Sequence, residues 1–262
     1  MLKQSWRRIP LCGLGIDPLT ETEVVTFVCR ALDAGAGGRI VTPNVDILRQ
    51  AAADPALRDE LAEADLVVAD GAPLVWAARL AGTPLPERVA GSDLIWSLSR
   101  GLARSGRSVY LLGGEPGTTR LEGAHRAAIA LATAYPGLRI AGHASPPYGF
   151  DRSAAELDAV CGELIEAKPD LVFVGLGFPR QERLIARLQT DLPGAWFMGC
   201  GAAINFVAGD VKRASPVLRK AGLEWLHRLA SEPSRLADRY LRRDLPFAAR
   251  LLAKSAIKRF TG

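Results

Sequence analysis

Along most of the chain, short apolar runs rich in Val and Ile alternate with longer stretches in which apolar residues return every three or four positions. The runs predict strands at 9–14, 39–42, 65–69, 108–112, 138–142, 170–175 and 195–199. Most are apolar almost throughout, the mark of strands covered on both faces. The helical spacing predicts helices at 21–33, 45–62, 72–81, 93–105, 118–134, 154–168 and 181–192. Thr20 and Glu23 read as a capping box ahead of the first of these. Strand and helix in repeated order imply an α/β fold, a Rossmann-like and mostly parallel sheet with helices on both faces. After Gly209 no strand pattern remains, and the chain reads as helices broken near Pro216, Pro233 and Pro246. We therefore expect a Rossmann-like domain over 1–211 and a helical C-terminal appendage over 212–262.

Charge sharpens that boundary. The chain has 262 residues and a net charge of +5, but Lys212–Gly262 holds 13 Lys/Arg against 4 Asp/Glu, a net of +9. The remainder is net −4. A basic appendage on an acidic body suits a phosphate-rich partner, a membrane surface or nucleic acid, and equally a solvated helical face. With 48% hydrophobic and 23% charged residues, a disordered, collagen-like or disulfide-framed chain is excluded. Cys12, Cys29, Cys161 and Cys200 form no CxxC pair, so reduced and mostly buried thiols in a cytoplasmic protein are expected. No metal-ligand spacing links His125, His143 and His227. Residues 1–10 are polar and basic with no apolar run behind them, so no signal peptide is expected, and no stretch approaches the ~18 apolar residues of a membrane span.

In open parallel sheets ligands bind beyond the carboxyl ends of the strands. The residues predicted there are Thr42-Pro43-Asn44, Ala69-Asp70-Gly71, Gly113-Gly114-Glu115-Pro116-Gly117, Gly175-Leu176-Gly177-Phe178-Pro179-Arg180-Gln181-Glu182 and Gly199-Cys200-Gly201. Glycine turns let backbone N–H groups approach a phosphate, and the following helix offers its positive end. Gly175-x-Gly177 is half a dinucleotide fingerprint, and tight turns explain such a fragment as well as phosphates do. Asp70 ends an apolar strand, where it suits a general base or an N-cap of the next helix. Thr42 and Asn44 suit ligand contact or capping. Arg88 suits a phosphate or carboxylate clamp or a surface ion pair, and Gln181 could reach a sugar or base edge. There is no GxxxxGK[ST] loop, no Ser-His-Asp set and no DxD, which argues against a carboxylate-held divalent ion.

Taken in order, Thr42-Pro43-Asn44, Ala69-Asp70-Gly71, Glu87-Arg88-Val89-x-Gly91-x-Asp93-Leu94, Leu112-Gly113-Gly114-x-Pro116-Gly117, Gly175-x-Gly177-x-Pro179-x-Gln181-Glu182, Gly209 ahead of Arg213-Ala214-Ser215-Pro216, Gly222-Leu223-Glu224-Trp225-Leu226-x-Arg228-Leu229, Glu232-Pro233-x-Arg235 and Arg239-Tyr240 resemble the WecG/TagA/CpsF family of bacterial glycosyltransferases, glycosyltransferase family 26. The resemblance spans roughly residues 40–240. It implies a metal-independent, inverting transfer of a sugar from a UDP-sugar to a polyprenol-diphosphate-linked saccharide in cell-envelope polysaccharide synthesis. It implies Asp70 as base with Thr42 and Asn44 beside it. Nucleotide-sugar contacts would come from Arg88, Gly113, Gly114, Gly175, Gly177, Pro179, Gln181 and Glu182. Acceptor or diphosphate contacts would come from Arg213, Arg228, Arg235 and Arg239 in the appendage, which would complete the site and dock on the inner face of the membrane. Two departures from the family's pattern fall in that appendage: Arg-Ala-Ser-Pro where the family has Arg-Ala-Pro, and His227 where an aromatic residue is common.

The expected partners are thus a UDP-sugar, a lipid-linked acceptor, an anionic membrane surface and further copies of the chain in a homo-oligomer. No cofactor, metal or nucleic acid is expected. The competing readings are a non-catalytic nucleotide- or nucleic-acid-binding module and an NAD-dependent oxidoreductase. The first is disfavoured by 6% aromatics without an RNA-binding cluster, the second by the incomplete fingerprint.

Overall fold

A computed structural model of the chain describes residues 6–117, 121–215, 217–218 and 222–261, apart from the side chains of Arg235, Phe260 and Thr261. Six strands form one sheet: β3 (Gly38–Val41), β4 (Leu66–Val67), β5 (Ser108–Gly113), β6 (Arg139–Ala144), β7 (Leu171–Gly175) and β8 (Trp196–Gly199). Their order is β4-β3-β8-β7-β5-β6, and the β3–β8, β8–β7, β7–β5 and β5–β6 pairings are parallel. The predicted α/β class is therefore observed.

The strand predicted at 9–14 is instead a hairpin outside that sheet, β1 (Ile9–Leu11) and β2 (Leu14–Ile16). Its two-residue turn, Cys12-Gly13, has positive φ at both positions, the signature of a type I′ connection. Cys12 is exposed there, against the expectation of a mostly buried set, while Cys161 and Cys200 are buried. The helix predicted at 45–62 is two helices, α2 (Val45–Ala53) and α3 (Pro55–Ala62). Asp54 ends the first and caps the second, its Oδ1 accepting from Ala56 N and Leu57 N, with Pro55 at the position where a missing N–H costs nothing.

The chain forms two compact units. The first comprises Glu21–Ile40 and Gly91–Val211. Its helices are α1 (Glu21–Asp33), α5 (Gly91–Ala103), α6 (Gly123–Ala134), α7 (Ala154–Ala167), α8 (Arg180–Asp191) and α9 (Ala203–Val207). On one sheet face Tyr110, Leu112, Val172, Val174 and Phe197 pack with Phe150, Leu164, Ile185 and Leu188. The alternate residues Val109, Leu111, Leu171 and Phe173 point the other way and are fully buried as well, with α5, α6 and α9 packed on β5 and β7. That two-sided burial is what the unbroken apolar runs encode.

The second unit comprises residues 6–20, Val41–Ala90 and the basic segment from Lys212 onward, so the chain re-enters it where the charge balance changes. Beside α2, α3 and α4 (Ala72–Leu80) it holds α10 (Glu224–Ser231), α11 (Pro233–Ala237), a π-helical stretch at Asp238–Asp244 and α12 (Leu245–Thr261). No break occurs at Pro246, which sits in the first turn of α12, where its ring is tolerated. Asp244, Ala248, Leu251 and Ser255 are the buried side of this last segment, and α12 packs on α4. Helical spacing of Leu245, Ala248, Leu252 and Ala256 suggests an apolar stripe with Leu251 beside it, and the structure turns that stripe: Leu245 is exposed, and Leu251 lies in the interior.

Candidate active site

In the second unit, three backbone hydrogen bonds assemble the predicted motif residues. Val68 N donates to Val41 O, Asp70 N to Pro43 O and Val89 N to Ala69 O. The Thr42-Pro43-Asn44 turn, the end of β4 and the Arg88 segment are thereby held side by side. Thr42 is buried, and Asn44 is the N-cap of α2, its Oδ1 accepting from Ile47 N at 3.1 Å. Asp70 does not occupy the N-cap of α4. Gly71 does.

Around Asp70 the charges alternate. Arg88 Nη1 lies 3.5 Å from Asp70 Oδ1 and 3.4 Å from Glu224 Oε2, and Glu224 Oε1 accepts from Arg213 Nε at 3.0 Å. All four side chains are largely enclosed, between 15% and 27% exposed. Predicted residues from the strand ends and the appendage, Asp70, Arg88 and Arg213, thus meet in one chain of charges. Glu224 completes it, a residue present in the motifs but given no role by the sequence. The one signal for it was its place four residues before Arg228 on a helix.

The 7-, 4- and 3-residue spacing of Arg228, Arg235, Arg239 and Arg242 suggests one arginine face along a helix, but the chain does not run as a single α-helix across them. The backbone leaves helical geometry at Glu232 (φ −134°, ψ 58°), and the π stretch changes the residue phase again. Arg228 is half-buried on α10, and the Arg235 side chain falls outside the described residues. Arg239 pairs with Asp46 at 3.7 Å and lies over the Tyr240 ring, while Arg242 points to solvent beside Asp238. A second charge cluster is formed where Arg49 bridges Asp46 and Asp244. Burial raises the Asp244 carboxyl above its ordinary range despite the hydrogen bond from Arg49.

The glycine loops lie in the first unit and are organised by one buried amide. Gln181 Oε1 accepts from Gly177 N at 3.2 Å and Gly201 N at 3.1 Å, and its Nε2 donates to Glu182 Oε1. Both side chains are buried. Gln181 therefore ties the loops after β7 and β8 together, a structural duty the sequence reading did not foresee. Pro179 precedes α8 directly. At Gly113 the β5 loop passes so close to β7 that a Cβ would stand 2.6 Å from Gly175 O, so only glycine fits. Gly114 follows it, and Glu115 accepts from Tyr148 Oη at 2.8 Å. Cys200, between the two glycines after β8, has its thiol pushed up to about 12 by burial, which leaves it unreactive. Arg107 and Asp170 form a half-buried charge pair, at 2.8 Å. Burial would raise Asp170, but the Ser108 N–H and hydroxyl and Arg107 outweigh it and hold the carboxyl below its ordinary range.

Comparison with known proteins agrees with these motifs. The model of the glycosyl transferase WecG/TagA/CpsF family matches residues 9–261. An N-acetylglucosaminyldiphosphoundecaprenol N-acetyl-beta-D-mannosaminyltransferase of Bacillus spizizenii is 31% identical over 221 residues, covering 82% of this chain and 81% of that protein. A Bacillus subtilis protein of the same name is 30% identical, with 78% and 75% covered. One from Staphylococcus aureus strain MW2 is 30% identical, with 75% and 73% covered.

Proposed function

The chain belongs to the WecG/TagA/CpsF family of glycosyl transferases, and from that premise we propose that it transfers N-acetylmannosamine from its UDP-sugar to a polyprenol-diphosphate-linked N-acetylglucosamine. The relatives' names support the transferred sugar and the acceptor. A β-linked product such as their names give, formed from the α-linked UDP-sugar proposed here, requires inversion, which a single displacement provides.

In this reading Asp70 takes the proton of the acceptor hydroxyl as that oxygen attacks C1, and UDP leaves from the opposite face. The observation that carries it is the placement of Asp70 at the end of β4, ahead of the N-cap and against Arg88. Arg88 and Arg213 meet phosphate charge that grows as the bond to the leaving group breaks. Gln181 takes the Gly177 and Gly201 N–H groups and so fixes the shape of the glycine loops, whose other backbone N–H groups receive the nucleotide. No bound metal is assigned a part, because the chain has no DxD and arginines stand among its candidate phosphate ligands.

No helix among the described residues is long and apolar enough to cross a membrane. For a lipid-linked acceptor we assign attachment to the inner membrane face to the exposed side of the last segment, where Arg242, Arg243, Arg250, Lys254, Lys258 and Arg259 stand beside Leu245 and Ile257. Each basic residue near an anionic surface contributes about 1 kcal/mol, so a few suffice. The deciding experiment supplies UDP-N-acetylmannosamine and a short-chain prenyl-diphosphate N-acetylglucosamine to the full chain. A disaccharide-diphosphate lipid is expected, and its absence across a panel of UDP-sugars overturns the reading.

A further inference from the structure

In the Asp70–Arg88–Glu224–Arg213 chain, Glu224 gives each of its carboxylate oxygens to a different arginine. Two guanidinium groups brought to one enclosed place require an anion between them, since an unpartnered buried charge is costly. A carboxylate that bridges two arginines through two oxygens offers what a phosphate group offers, in the planar geometry guanidinium favours. We infer that Glu224 is a positioning residue that holds Arg88 and Arg213 as a built-in substitute for a diphosphate and yields them when a diphosphate ligand arrives. The inference rests on the proposed substrates, both of which carry a diphosphate.

The charge arithmetic favours the exchange. Asp70 and Glu224 contribute two negative charges and Arg88 and Arg213 two positive ones. A diphosphate brings more negative charge than the single carboxylate it displaces. The displaced group also has somewhere to go. Glu224 is the first residue of α10, where the helix dipole favours a carboxylate, and Arg228 lies one turn on along the same face. Gly222, with φ +74, lies two residues before it at a backbone conformation glycine adopts freely. Without Glu224 the two arginines would repel each other in the unliganded protein. With it they are held near the spacing a ligand needs, at the cost of competition for the same donors.

Competition is what the test reads. Inorganic pyrophosphate titrated into the full chain by calorimetry should bind Glu224→Gln about 10- to 100-fold more tightly than wild type, the equivalent of one charge-assisted hydrogen bond no longer in competition. Glu224→Asp keeps the charge and should stay near wild type. In transfer assays the Gln variant should lower KM by more than it changes kcat. If KM falls for the UDP-sugar, the donor's diphosphate is the one exchanged, and if it falls for the lipid-linked sugar, the acceptor's is. Pyrophosphate affinity that is unchanged or weaker in a Gln variant melting within a few degrees of wild type overturns the inference. Should the Gln variant not fold, amide exchange on the wild type decides: added pyrophosphate is expected to speed exchange across 222–231, and unchanged or slower exchange overturns it. Neither the calorimetric arm nor the exchange arm reads sugar transfer. A protein that responds to pyrophosphate in this way but transfers no sugar removes the proposed function and leaves Glu224 in place. One that transfers sugar with an unaltered Gln variant does the reverse.

Discussion

In the function we propose, the two compact units meet negative charge by different means. The first uses backbone: loops after β5, β7 and β8, with glycine where a neighbouring strand passes close and a buried glutamine amide that takes two N–H groups to fix the loops. The second uses side chains: carboxylates and arginines from residues 70, 88, 213 and 224, delivered by separate segments. A backbone site is rigid and intolerant of volume. A side-chain site is scattered in sequence, and its charges can exchange partners. The difference predicts that substitutions in the second unit alter rates while leaving the fold intact, and that those in the first alter fold and affinity together.

The largest expected effect breaks the comparison if it fails. Asp70→Asn should cut turnover by about 10²-fold or more while the melting temperature stays within a few degrees, because Gly71 holds the cap position. Turnover within a factor of a few of wild type removes Asp70 as base. Next, Gln181→Ala leaves the Gly177 and Gly201 N–H groups without their acceptor. A cost of roughly 1–3 kcal/mol should lower the melting temperature by several degrees and UDP affinity by about tenfold. A lowered melting temperature with unchanged UDP affinity would place the nucleotide elsewhere.

A smaller effect contrasts one buried carboxylate in each unit. Asp170 is held below its ordinary range in the fold, so it stabilises the protein above the unfolded carboxylate range and that stability is lost as pH falls through it. Asp244 is held above, so its ionisation weighs against the fold as pH rises. Melting curves from pH 3 to 7 should therefore show Asp170→Asn losing ground to wild type as pH rises, and Asp244→Asn gaining it. Parallel curves would show that neither carboxyl is perturbed. The smallest expected effect is none: transfer should persist in excess EDTA, and loss restored by Mn²⁺ or Mg²⁺ would put a metal where we place arginines.

What could be read in the sequence follows the same division. Most sheet strands were legible because burial on both faces leaves almost no polar position in them, as at 109–112 and 171–175. The glycine loops were legible because their residues are contiguous. The hairpin at 9–16 was not, since Leu11 and Leu14 run on apolar across a turn whose first residue, Cys12, is no turn former. The split at Asp54 was missed because apolar spacing continues through Pro55. In the site, Asp70, Arg88 and Arg213 were found through motifs. Their partner Glu224 was not assigned, because its meaning lies in a contact spanning 136 positions. The phase of the appendage was misread because a straight α-helix was assumed where a π turn intervenes.

That π turn works as a phase adjuster. Relative to an α-helix it accommodates extra chain without breaking the rod, so everything beyond Asp244 is rotated about the helix axis. Deleting one residue inside it, such as Leu241, would turn the downstream segment by about 100°. Leu252 and Ala256 would then take the line toward α4 that Leu251 and Ser255 now hold. The charge of the appendage would be unchanged, yet Leu251 would leave the interior. Which residues of α12 face α4 is thus decided by the winding of seven residues upstream of them.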